Sequence, residues 1–199
     1  MNLRNIILAF SVIFISSCSF LSPVQTEPSA KYLLNTLPHH IPQKAKRSVT
    51  LLVLNPETRA IFNTTDMAYT KKTFQVSYYA ENQWAETPSQ MLLPLIVQTL
   101  QKTNHFKAIV TPPYAGQYDY ALSTQITQFQ QDFTVKPAMF TISIRADITR
   151  TSTGRLIASK QFTYRIPINH PSPYSGVIAA NIASAKLLQD LAKYCLDYM

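Results

Sequence analysis

The chain has 199 residues, 46% of them hydrophobic, with 18 lysines and arginines against 10 acids for a net charge of +8. That is apolar material for one domain with a single core, and basic enough to suit an anionic lipid surface, an acidic protein or nucleic acid. Three glycines leave no phosphate-cradling loop, and two cysteines exclude a disulfide-built scaffold.

The N-terminus reads in three parts. Arg4 supplies positive charge, Ile6 to Ile15 is a nearly unbroken apolar run, and Ser16 and Ser17 precede Cys18. This is the order of a signal peptide, too short for a transmembrane helix. An ordinary secretory signal is the plainer reading, but Ile15-Ser16-Ser17-Cys18 matches the bacterial lipobox, in which the cysteine thiol accepts a diacylglycerol. Residues 1–17 are thus expected to be removed, leaving Cys18 with diacylglycerol and N-acyl (palmitate-type) chains, and several chains make anchoring stable. By resemblance to sorted lipoproteins, Ser19 after the cysteine points to the outer membrane. Export argues against nucleic acid as a partner. Acylation of Cys18 leaves Cys195 without a partner, as a buried, inert thiol.

Residues 18–30 are polar and proline-containing and read as a tether; residues 31–199 read as a single domain. Lys31–Leu34 suggests a short strand, Pro38–Arg47 a loop and Val49–Leu54 a central strand. Ile61-Phe62 and Met67–Tyr69 are short pieces around a turn at Asn63–Asp66, and Thr73–Ala80 alternates as a strand. Glu81–Trp84 turns the chain. Thr87 caps a helix opened by Pro88, with Leu92, Leu95, Ile96, Thr99 and Leu100 on one face. His105–Val110 and Tyr118–Gln130 are strands, the latter with a bulge near Phe129. Met139–Thr149 and Arg155–Arg165 form a hairpin closed at Thr151–Gly154. Gly176–Tyr198 is a helix whose stripe Ile178, Ile182, Ala185, Leu188, Leu191 and Cys195 is expected in the core. The expected class is α+β: a mostly antiparallel sheet with two helices packed on one face.

Chemistry-bearing constellations are missing from the pattern. His39, His40, His105 and His170 lack the spacing of a zinc site. No carboxylate pair stands out, and no Gly-x-Ser-x-Gly elbow occurs. The expectation is a non-catalytic protein with no metal and no cofactor beyond the covalent lipid on Cys18. Trp84, after Tyr78 and Tyr79, is either an interface anchor or a cap over the helix that begins at Pro88, and the latter is favoured.

Tyr78-Tyr79, Asn82-Gln83-Trp84-Ala85-Glu86-Thr87-Pro88, Leu92-Leu93, Leu100, Phe106 and Val110 form an ordered series. So do Asp66-Met67-Ala68-Tyr69, Tyr118-Asp119-Tyr120-Ala121-Leu122, Phe129, Gly154–Ala158 and Ala179–Ala183. After a lipobox, the series resembles the ABC-type transport auxiliary lipoproteins, which accompany transporters containing mammalian-cell-entry (MCE) domain proteins. The chain departs from that pattern at Asn104-His105, where a glycine is expected before Phe106. The resemblance implies a lipid-anchored component on the periplasmic face of the outer membrane, open to homo-oligomerisation. Its partner would be a periplasmic MCE-domain protein and, through it, an inner-membrane ABC permease and ATPase that move lipid between membranes. Tyr79, Trp84, Pro88 and Asp119 would be structural. Asn63–Phe74, with Asp66, Tyr69 and Phe74, is the expected free sheet edge for strand addition. The alternative is a lipoprotein of outer-membrane or lipopolysaccharide assembly, with a barrel protein as its partner.

Overall fold

The computed structural model describes residues 29–199, so the expected signal peptide, the expected lipobox and Cys18 lie outside the described residues. In chain order the elements are β1 (Ala30–Tyr32), β2 (Thr50–Val53), β3 (Glu57–Thr58), β4 (Asp66–Lys72), β5 (Gln75–Trp84), α1 (Pro88–Gln101), β6 (Ala108–Val110), β7 (Tyr120–Asp132), β8 (Met139–Arg150), β9 (Arg155–Pro167) and α2 (Pro173–Tyr198). The class is α+β, and all nine of these strands join one sheet.

β7 is the spine of the sheet. Along one side it pairs antiparallel with β8 from Tyr120↔Arg150 to Asp132↔Met139, with a register shift between Ile126 and Gln128. Along the other it takes three short strands in succession, all parallel: Leu51↔Tyr120, Glu57↔Gln125 and Tyr69↔Gln131. The sheet is therefore mixed. The long ladders β7–β8 and β8–β9 and the β4–β5 hairpin are antiparallel, whereas β1, β2, β3 and β6 join in parallel. A tight turn can join only antiparallel neighbours; β2 and β7 are separated by α1 and long loops, which allow the crossover that a parallel pair needs.

One face of the sheet is apolar and carries both helices. On β8, Phe140, Ile142, Ile144, Ala146 and Ile148 are buried at alternate positions, while Arg145 between them is exposed. The other face is polar: Ser143 and Thr163 share a hydroxyl hydrogen bond of 2.7 Å, and Arg145 pairs with Asp147 at 2.7 Å. The guanidinium hydrogen bond holds the Asp147 carboxyl below its ordinary range. An exposed pair of this kind adds little stability, and what it adds is lost as acid protonates the carboxylate.

α1 starts where its capping residues say. Thr87 Oγ1 accepts the Gln90 N–H and the Gln90 side chain accepts the Thr87 N–H, a complete capping box with Pro88 in the first turn. α2 starts three residues earlier than the pattern suggested, because Ser172 Oγ accepts the Ser175 N–H at 3.1 Å and Pro173 fits the first turn. Its far end is held by cations from the 38–49 loop. Lys44 Nζ donates to the Leu196 carbonyl at 2.6 Å and Arg47 donates to the Met199 carbonyl at 2.8 Å, where positive charge suits the helix dipole.

The buried stripe of α2 differs from expectation. Leu188, Leu191 and Cys195 are buried as expected, but Ile178 and Ile182 are 49% and 42% exposed. The buried positions in that half are Val177, Ala179, Ala180, Ala183 and Ser184. Small residues are used there because the helix lies close to the sheet: a Cβ on Gly176 would come within 2.1 Å of the Gln131 side chain. Reading hydrophobicity alone selects the isoleucines, whereas close approach selects alanine.

Cys195 is fully buried, and burial pushes its thiol well above the usual range. Only the thiolate reacts. A disulfide reagent at neutral pH is expected to leave Cys195 unmodified in the folded protein and to modify it fully in denaturant; rapid reaction without denaturant would contradict this packing.

Candidate docking surface

The residues singled out in the sequence separate into a structural set and a surface set. Ile15, Ser16, Ser17 and Cys18 lie outside the described residues. Trp84 is 3% exposed and its ring sits 5.2 Å from that of Phe129, so it is a core residue. Pro88 is buried in the first turn of α1. Asp119 is exposed, yet its carboxylate accepts the Thr50 N–H at 2.7 Å and fastens the start of β2 beside β7. Tyr79 donates its hydroxyl to Gln131 Oε1 at 3.2 Å. Burial, with Tyr69 alongside, pushes its pKa up to about 12, so it stays a neutral donor.

The expected edge is not an edge. β4 is paired on both sides, with β5 and with β7. Asp66 accepts from Thr64 Oγ1 at 3.0 Å and from Gln83 Nε2 at 3.2 Å, latching the foot of the hairpin. Tyr69 stacks at 4.5 Å on Tyr79. Hence Asp66 and Tyr69 belong to the sheet, Asp66 at the far end of the strand from Phe74. On this side of the sheet the edge is β5, which among the described residues pairs with β1 only at Asn82, Gln83 and Trp84; β9, paired only with β8, is another. Glu81–Trp84, expected as a turn, is strand because β1 and the foot of β4 supply it with partners.

Phe74 is the surface residue of that group. Lys72↔Gln75 closes the β4–β5 hairpin, so Thr73 and Phe74 make a two-residue turn. Phe74 has φ +68° and is fully exposed. Turns with positive φ at this position take glycine or asparagine, because a Cβ there costs about 1–2 kcal/mol. Phe74→Gly is therefore expected to stabilise the domain by ~1 kcal/mol, read as a higher midpoint in thermal unfolding. A lower midpoint would mean the ring makes stabilising contacts.

A second apolar surface lies on α2, built in part from Ile178 and Ile182, which the sequence pattern places in the core. Tyr174, Ile178 and Ile182 are spaced i, i+4, i+8 and are 60%, 49% and 42% exposed, with Leu33 beside them at 51%. Asn181, between the isoleucines, fixes Leu33 in place: its amide donates to the Leu33 carbonyl at 3.1 Å and its oxygen accepts the Asn35 N–H at 3.0 Å. Tyr174 meets Tyr32 of β1 at 6.0 Å, which joins this stripe to the end of the β5 edge.

The remaining concavities among the described residues are open to solvent. A cleft of about 930 Å³ at the β8–β9 turn is lined by Lys107, Asp119, Tyr120 and Arg150. Arg150 there donates to the Tyr120 hydroxyl at 3.2 Å. Among the described residues, no group of three or more His, Cys, Asp or Glu is placed to hold a metal ion, and no helix is long and apolar enough to cross a membrane.

A match to the family described as ABC-type transport auxiliary lipoprotein component runs across residues 32–192. The chain belongs to this family. Comparison with curated proteins gave no match. Among solved structures, a protein from Xanthomonas campestris is 20% identical over 85% of this chain and 96% of its own, with a TM-score of 0.76. A hypothetical protein from Chlamydia trachomatis is 9% identical over 76% of this chain and 98% of its own, with a TM-score of 0.55. At these identities the two share the fold. For an ABC-type transport auxiliary lipoprotein the departure at Asn104 is explained by its backbone: φ is +55°, and asparagine tolerates that region better than other side-chain-bearing residues.

Proposed function

We propose that this transport auxiliary lipoprotein is a non-catalytic, cofactor-free component of an MCE-protein-containing intermembrane lipid transport system. Acyl chains on Cys18 would hold it to the periplasmic face of the outer membrane, and its folded domain would dock the periplasmic MCE protein. The inner-membrane ABC permease and ATPase would supply the energy. Family membership supports the transport role.

The observation that carries the docking reading is the stripe of Leu33, Tyr174, Ile178 and Ile182, left without a partner among the described residues although each is large and apolar. Aromatic and aliphatic residues clustered in this way are what a protein partner buries. Adjacent to it, the outer side of β5 over Gln75–Glu81 is an edge unpaired among the described residues, which can receive a strand of that partner. The partner surface expected here is apolar at its centre, with an extended segment alongside.

Affinity capture of the full-length lipoprotein from detergent-solubilised membranes after mild crosslinking tests the reading. Recovery of an MCE-domain protein with its permease or ATPase is the expected result. Recovery of an outer-membrane barrel alone would overturn it in favour of an assembly role. Mass spectrometry of the N-terminal peptide tests the anchor separately, with an acylated Cys18 as the expected species.

A further inference from the structure

β7 is parallel to β4, so the turn after β7 and the turn after β4 lie at the same end of the sheet. Phe133 confirms the proximity: its N–H donates to the Thr70 carbonyl at 2.8 Å and its ring is 6.2 Å from that of Tyr69. This end carries the fully exposed Phe74 and the exposed Val135, with Lys71, Lys72 and Lys136, all exposed, around them. The acid at this end is Asp132, and its carboxylate is taken up by the N–H and hydroxyl of Thr134 at 2.9 and 2.6 Å. Lys71 leans back over the Tyr69 ring at 5.1 Å, which leaves its ammonium beside the turn. Two apolar tips ringed by lysines suit an anionic lipid interface, where rings enter the boundary of headgroups and acyl chains and ammonium groups meet phosphates.

The path of the chain points the same way. β1 joins β5 in parallel, with Ala30 opposite Asn82 and Tyr32 opposite Trp84. The N-terminal end of β1 therefore faces the side of the Phe74 turn. Cys18 precedes Ala30 by twelve residues, a span of at most ~40 Å. From Asn82 back to Gln75 is ~23 Å at strand spacing. The contour length between Cys18 and Ala30 is thus enough for an anchor on Cys18 to reach past the turn. The backbone supplies an independent sign: an aromatic ring is held in water at a position that glycine would occupy at lower cost.

We propose that the end of the sheet bearing Phe74 and Val135 rests on the membrane, with Phe74 in the lipid interface and Lys71, Lys72 and Lys136 on phosphate headgroups. The domain then stands on its hairpin tips. The β8–β9 turn points away from the membrane, and the α2 stripe is presented sideways to the periplasm. This orientation rests on the lipoprotein reading but adds to it a defined contact.

The test uses the full-length chain reconstituted in vesicles of phosphatidylethanolamine and phosphatidylglycerol. An environment-sensitive thiol probe is placed by Phe74→Cys and, as the distant control, by Ser152→Cys in the β8–β9 turn; buried Cys195 does not compete for label. Nitroxide lipids are expected to quench the probe at position 74 several-fold more than the probe at 152. Changing Lys71 and Lys72 together to glutamine should reduce that quenching and remove its dependence on phosphatidylglycerol, each lysine contributing about fivefold to partition on an anionic surface. Equal quenching at the two sites, or greater quenching at 152, would overturn the proposal. So would protection of position 74 only when a protein partner is added, which would assign the tip to that partner. Flotation with the vesicles and the mass of the N-terminal peptide report the anchor independently, so an unacylated chain is distinguished from a wrongly oriented one.

Discussion

Trp84→Ala is expected to cost about 3–5 kcal/mol, the largest single-residue loss of stability foreseen for this chain. The ring is 3% exposed and lies at one end of an aromatic series, 5.2 Å from Phe129, which in turn meets Phe140 at 5.1 Å edge to face. Its backbone N–H donates to the Thr65 carbonyl at 2.7 Å, and Tyr32 of β1 pairs beside it. Truncation would leave a cavity where β1, β4, β5 and the start of α1 converge, and strands of three residues have little else to hold them. Because Trp84 is the only tryptophan, unfolding of the variant must be followed by circular dichroism in denaturant. A loss under about 1 kcal/mol would show that the site collapses without penalty, contrary to the packing. An interface anchor would behave in the opposite way, with little change in stability and a large loss of docking.

The second large effect is on association. Ile178→Glu together with Ile182→Lys is expected to weaken capture of the MCE-domain protein proposed as partner by a hundredfold or more, since truncating central apolar anchors typically costs ~2 kcal/mol each. The fold should be unaffected. Both side chains project from the exposed side of α2, substitutions at such positions usually stay within ~0.5 kcal/mol, and glutamate four residues before lysine supports a helix. The readout is Kd by surface-immobilised partner, with the melting temperature as control. Unchanged affinity would remove the stripe from the docking surface and leave the β5 edge as the remaining candidate.

What could be read from the sequence was local. The Thr87 cap, the β8–β9 hairpin and the bulge in β7 depend on neighbours a few residues apart; the first two stand where the pattern places them, and the bulge lies between Ile126 and Gln128, just before the expected Phe129. Partner choice between distant strands is not written locally. β4 looked like an edge because its run is short, but β7 is long enough to accept three strands end to end and covers it. Phe74, expected on a sheet edge, tips the β4–β5 hairpin instead. Ile178 and Ile182 were assigned to the core because period and hydropathy agreed, while the quantity that decided burial was the distance between helix and sheet, set by Gly176 and the alanines. A stripe displaced by one position from its small-residue face is the signal that could have revealed it.

The three strands laid end to end on β7 also govern the order in which the domain can assemble. A polypeptide released N-terminus first presents β2 and β3 well before Tyr120–Asp132, the segment that completes their pairing, has emerged. The β4–β5 hairpin can close early and β7–β9 can zip as a local meander, but the halves unite only through contacts of long sequence separation, which are slow to form. During that interval Leu51, Leu52 and Val53, all buried in the finished sheet, remain uncovered. The nascent chain is therefore most vulnerable to aggregation in its first half, and a holdase that grips residues 50–53 would act at the step where assembly waits.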